Sequence, residues 1–109
     1  RCYKYLNDSN LVDYGSSNNW GQAFTVLSGI LSSNSVFGPW PKILIKSCDG
    51  GSYFSDSTAS FKNKTMNFKG ANNVKEAMNY LNKIGWLANR EEIVLVGVGN
   101  GGLGALAWA

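Results

Sequence analysis

The segment V-G-V-G-N-G-G-L-G, residues 96–104, constrains this chain more tightly than any other stretch. An apolar run, residues 93–96, leads into it, and the helix-compatible residues 103–108 follow. The glycines therefore stand where a strand turns into a helix. Two chemistries are built on such a turn. In the nucleophile elbow, G-x-S-x-G, a serine is held at the tip of a sharp bend. In the dinucleotide fingerprint, G-x-G-x-x-G, backbone amides at the helix start receive a pyrophosphate. Gly97, Gly99 and Gly102 satisfy the second spacing, while Gly97, Gly99 and Gly101 frame the first with glycine in the serine's place. A third reading is structural: glycines let helix and strand pack closely.

Each chemistry has further requirements. The dinucleotide reading wants an acidic residue roughly 20 positions after the turn to hold the ribose, a position past Ala109. It also normally opens its domain, whereas here a full strand, loop and helix precede the turn. An elbow serine needs a base, usually a His oriented by a carboxylate. These 109 residues contain no His. In elbow enzymes the acid and the His follow the serine in the chain, so both would lie beyond Ala109. Glycine itself offers no nucleophile, and loss of a triad serine lowers the rate about a million-fold. Ser47, Ser52 and Ser55 do not sit at an elbow and cannot substitute.

The rest of the chain supplies the context for the turn. Residues 42–48, K-I-L-I-K-S-C, form a compact apolar run bounded by Pro41 and Asp49-Gly50-Gly51, which predicts a strand, as does 92–97. Residues 49–60 read as a strand-exit loop, where α/β folds place functional residues. Val74, Ala77, Met78, Leu81 and Ile84 fall on one helical face, predicting a helix over 72–84. Asn73 and Glu76 have capping-box spacing, and Gly85 stands at a C-terminal stop. Residues 1–22 are polar, with a short helix at best around 10–15, and 32–41 read as loop through Pro39 and Pro41. The order strand, loop, helix, strand, glycine turn, helix implies an α/β protein with a parallel sheet and flanking helices.

Composition narrows the function classes. With 44% hydrophobic and 16% charged residues, the chain is an ordinary globular one. Its charge of +3 comes from scattered lysines, which gives no nucleic-acid footprint and too little charge to argue for an acidic polysaccharide. No apolar segment approaches the roughly 20 residues of a membrane span. Cys2 and Cys48 show no C-x-x-C spacing, so no metal site is expected. They are disulfide candidates, with each other or with cysteines elsewhere, and two free thiols are the alternative. Asn7-Asp8-Ser9 and Asn63-Lys64-Thr65 are sequons, making Asn7 and Asn63 glycosylation candidates. They permit a secretory address.

Several segments in register carry a resemblance. "YGSSNNW" at 14–20, "GILSSN" at 29–34, "KILIKSCDGGSYFSD" at 42–56, "MNFKGANNVKEAMNYLNKIGW" at 66–86 and "VLVGVGNGGLGALAW" at 94–108 closely resemble the pectin acetylesterase family, which includes the Notum-type carboxylesterases. The resemblance implies an α/β-hydrolase fold, secretion to the extracellular space or cell surface, no cofactor, and hydrolysis of O-acyl esters. It places the family nucleophile at Gly99, the oxyanion donor at Asn100, and the following glycine pair at Gly101 and Gly102. Cys48 matches the cysteine at the strand end, and Asp49 and Gly50 match residues bordering the pocket.

Residues 1–109 are accordingly read as the central portion of a single α/β-hydrolase-like domain, without the N- and C-terminal parts of the family domain. The leading expectation is a catalytically inactive, secreted protein with a binding or structural role in an assembly and a carbohydrate or acyl ester as ligand. A half-sheet with open edges needs the remainder of its own domain or partner chains to cover it. The alternatives are an active O-acyl esterase, if Gly99 is an artefact or an engineered change, and a dinucleotide-binding domain through Gly97, Gly99 and Gly102.

Overall fold

The computed structural model describes residues 29–47 and 49–109. The expected short helix at 10–15, the 14–20 segment, Asn7, Cys2 and Cys48 lie outside the described residues. A 3-10 turn at Gly29–Leu31 is followed by strands β1 (Ser57–Phe61) and β2 (Lys64–Phe68), then helices α1 (Gly70–Lys83) and α2 (Asn100–Trp108).

Helix α1 follows the apolar stripe in the sequence. Val74 is buried, and Ala77, Met78 and Leu81 on the same face are half-buried, while Ile84 at its end is exposed. Its C-terminus is a Schellman stop. The Gly85 amide donates to the Asn82 carbonyl at 3.0 Å and the Trp86 amide to the Leu81 carbonyl at 2.9 Å, with Gly85 at φ +76. The N-terminus differs from the expectation. The N-cap is Lys69, with no side-chain cap, and Asn73 lies inside the first turn rather than before it. The early amides are satisfied by backbone instead, Ala71 donating to the Ser55 carbonyl at 3.0 Å and Asn73 to the Lys69 carbonyl at 2.9 Å.

The expected parallel sheet is not formed among the described residues. The paired strands are an antiparallel hairpin, with Ser57 opposite Phe68 and Phe61 opposite Lys64. It arises inside a segment read from sequence partly as loop. Lys62 and Asn63 both take positive φ, +48 and +59, the signature of a two-residue type I′ turn. Alternation then gives the hairpin two faces. Thr58, Ser60, Thr65 and Asn67 share one, and Ser57, Ala59, Phe61, Lys64, Met66 and Phe68 share the other.

The apolar runs at 42–47 and 92–97 take no regular secondary structure and belong to no sheet among the described residues. An open groove of about 500 Å³ is lined by both, with Trp40, Met78, Leu81 and Trp86 among the other lining residues. A parallel ladder needs its strands roughly 4.8 Å apart. An apolar run specifies burial but not which backbone lies beside it, which is why the expectation failed here.

Where the hairpin meets α1, Lys69 and Asp56 form an ion pair at 2.6 Å, with side chains 43% and 55% exposed. Exposed pairs contribute little. Asp56→Ala is expected to lower stability by less than about 1 kcal/mol, and the loss should shrink with added salt in a denaturant titration.

Candidate functional site

The turn at 97–102 is tight and leads directly into helix α2. Gly99, the N-cap of α2, sits at φ 59 and ψ −124, the geometry of the first central residue of a type II′ turn. The turn is closed by the Gly101 amide donating to the Val98 carbonyl and the Gly102 amide donating to the Gly99 carbonyl, both at 3.0 Å. Irregular backbone thus enters and helix leaves within a few residues, with Val98 almost fully exposed at the bend.

The two outer glycines and the central one serve different needs. A Cβ at Gly97 would lie 1.9 Å from the Gly101 carbonyl oxygen and 2.5 Å from the Gly102 nitrogen. Gly97 is therefore required by the closeness of the incoming backbone to the helix start. A Cβ at Gly99 would meet nothing within 4 Å. A side chain fits there, and only the positive φ opposes it. Non-glycine residues held in such a conformation cost on the order of 1–3 kcal/mol, a strain that active sites commonly store. Asn100 follows as the first residue of α2. Among the described residues its amide donates to no backbone acceptor, so it points free at the positive end of the helix.

The strand-exit loop reaches this elbow through Tyr53, which sequence reasoning did not single out. Ser52 and Tyr53 both hold positive φ, +55 and +70. The Tyr53 backbone abuts Gly70 at the start of α1, where a Cβ would come within 2.9 Å of the Tyr53 Cα. Its ring lies on α2, within 2.8 Å of a Cβ at Gly104 and 3.8 Å of one at Gly101. Its carbonyl accepts the Trp108 indole N–H at 2.9 Å. One residue thus joins the loop, α1 and the elbow helix. The legible signal was the pair of glycines three apart on α2, a flat face that admits a ring. Gly104→Ala is expected to cost about 1–3 kcal/mol by overpacking this joint, read as a fall in the denaturation midpoint at unchanged slope.

Asp49 and Gly50 stand at the start of the same loop. The Asp49 Oδ1 accepts the Gly51 amide at 2.8 Å and the Ser47 hydroxyl at 3.4 Å, closing an Asx-type turn. The Asp49 Oδ2 and the Ser55 Oγ are buried without a hydrogen-bond partner. The loop that begins at Asp49 and Gly50 thus reaches α2 through Tyr53, at Gly101, Gly104 and Trp108. The apolar groove is a separate feature. Its lining ends at Val96, one residue before the turn, and includes none of the elbow glycines. Asn63 is exposed at the hairpin tip, away from these contacts. Among the described residues no group of His, Cys, Asp and Glu could hold a metal ion, and no helix is long and apolar enough to cross a membrane.

Comparison with known proteins gives this geometry a lineage. A family model described as Pectinacetylesterase matches residues 2–109. Among curated proteins, pectin acetylesterase 5 of Arabidopsis thaliana is 37% identical over 100 residues, covering 88% of this chain and 23% of that protein. The chain thus spans less than a quarter of that relative's length. No solved structure matches it. With a family model matching almost from end to end and a relative 37% identical across 88% of the chain, one conclusion follows: the chain belongs to the pectinacetylesterase family.

Proposed function

We propose that this chain carries the elbow of a secreted pectin acetylesterase-like domain that keeps the ligand-binding framework and has lost the nucleophile. The observation that carries the reading is residue 99, a glycine in the strained backbone geometry that an elbow serine would occupy. In a serine esterase the Oγ attacks the acyl carbon, charge develops on the carbonyl oxygen, and a preorganised amide just after the serine donates to that oxygen. In this reading the Asn100 amide takes the donor's role, and the attacking atom is missing. Such a site holds an ester, or the carbohydrate that bears it, without cleaving it. In this reading Asp49 and Gly50 border the ligand site, and the Asn100 side chain narrows it or hydrogen-bonds within it.

The same geometry accounts for the Gly97, Gly99, Gly102 spacing without a nucleotide, since Gly97 is needed for its contact with Gly101. The surroundings support a role within a larger assembly. Helix α2 presents Leu103 and Leu106 to solvent, 54% and 77% exposed. A helix apolar on all sides is an interior helix. The remainder of the protein's own domain, or partner chains, covers it and the two apolar runs. Secretion is supported by the family and by the two sequons.

A second reading has one observation in its favour. The open space at Gly99 receives a serine without a clash, so an esterase in which Gly99 is an artefact or an engineered change is sterically sound. Peptide mapping across residue 99 separates the two, and an assay on protein carrying Gly99 then tests the first. The complete protein, peptide-mapped to carry Gly99, is incubated with acetylated pectin and with 4-nitrophenyl acetate. Acetate release at the buffer rate is expected, and turnover comparable to serine-bearing relatives would overturn the proposal.

A further inference from the structure

We propose that Asn63 carries an N-linked glycan at the tip of the β1–β2 hairpin. The inference rests on the secretion reading above and adds a modification site to it. Asn63-Lys64-Thr65 has the acceptor pattern, but a pattern alone recurs by chance in a chain so rich in Asn and Ser. Three structural observations raise it above chance.

Asn63 occupies the second position of the type I′ turn, at φ +59, and both Asn63 and Thr65 are exposed. The acceptor pair thus lies where a transferase can reach it. The hairpin is also amphipathic. Thr65 lies on the face shared with Thr58, whereas Met66 and Phe68, on the opposite face, are already half-buried. When the apolar face is covered in the complete protein, the face with the acceptor threonine stays in water. Finally, every residue of β1, the strand paired with the one that carries Thr65, is exposed as well.

The chemistry is a group transfer. The Asn63 side-chain nitrogen attacks the anomeric carbon of an oligosaccharide carried on a lipid pyrophosphate. A carbon–nitrogen bond forms and the carbon–oxygen bond to phosphate breaks. The lipid pyrophosphate leaves with the bonding electrons, and the amide nitrogen loses one proton.

The test uses the complete protein expressed through the secretory pathway of a eukaryotic host. Secreted protein is treated with peptide:N-glycosidase in heavy-oxygen water, and the peptide spanning both strands is sequenced by mass spectrometry. Conversion of Asn63 to heavy-labelled aspartate is expected in most of the material. Asn63→Gly, which suits the positive φ, and Thr65→Val, which suits the strand, should each abolish the label and remove one glycan from the intact mass. An unmodified Asn63 in protein recovered from the medium overturns the inference and leaves secretion standing. Protein retained in the cytosol, with its native leader present, overturns the secretion reading and this inference with it.

Discussion

Gly97→Ala is expected to destabilise the protein by about 3 kcal/mol or more, while Gly99→Ala, two residues away, costs about 1–3 kcal/mol for its φ alone. The difference comes from what each methyl meets. At 97 it would press on the Gly101 carbonyl carbon and oxygen at 2.1 and 1.9 Å, and these are backbone atoms that cannot rotate aside. The turn must open, which sacrifices the Gly101 to Val98 and Gly102 to Gly99 hydrogen bonds, each worth about 1 kcal/mol net. At 99 the methyl enters empty space and pays only for its φ. Denaturant midpoints of the complete protein measure both. Equal costs would mean that the incoming run and the helix start are not as close as described here.

Gly99→Ser has the second large expected effect, and it is on chemistry. In the complete protein the substitution restores a hydroxyl at the bend, with the Asn100 amide beside it as oxyanion donor. If the acid and base partners expected downstream are present, hydrolysis of acetyl esters should rise by several orders of magnitude, up to the roughly million-fold that a triad serine contributes. Stability should fall by about 1–3 kcal/mol, because a serine at φ 59 carries strain that glycine does not. The two changes have opposite signs. That pairing separates a restored nucleophile from a general improvement in folding, and a variant that gains neither activity nor strain would show that residue 99 is not at the nucleophile position.

The parts of the architecture legible in the sequence were those fixed by local chemistry. The stripe through Val74, Ala77, Met78 and Leu81 marked the inner face of α1, and Gly85 marked its end, because helix periodicity and a left-handed stop act over a few residues. That a glycine turn leads into a helix here was legible for the same reason. The capping box at Asn73 and Glu76 was misleading, since spacing cannot tell that the Ser55 carbonyl would receive an early amide first. The hairpin was missed because its turn is Lys62-Asn63 rather than Asn-Gly, although Ala59, Phe61, Met66 and Phe68 already alternate. The parallel sheet was inferred from two apolar runs whose neighbours lie far away in sequence, and nothing within either run names its partner. Tyr53 escaped for a related reason: its role depends on three elements meeting, and its positive φ leaves no trace in residue type.

The most direct test of the central claim is covalent labelling by a fluorophosphonate, which reacts with an activated serine at an elbow and spares ordinary hydroxyls. The complete protein with Gly99 and its Gly99→Ser variant are incubated side by side, and the adducts are mapped by mass spectrometry. A silent elbow predicts no adduct on the protein with Gly99 and a single adduct on residue 99 of the variant. An adduct on the protein with Gly99, at any serine and accompanied by loss of acetyl-ester hydrolysis, would contradict it and place the nucleophile elsewhere in the chain.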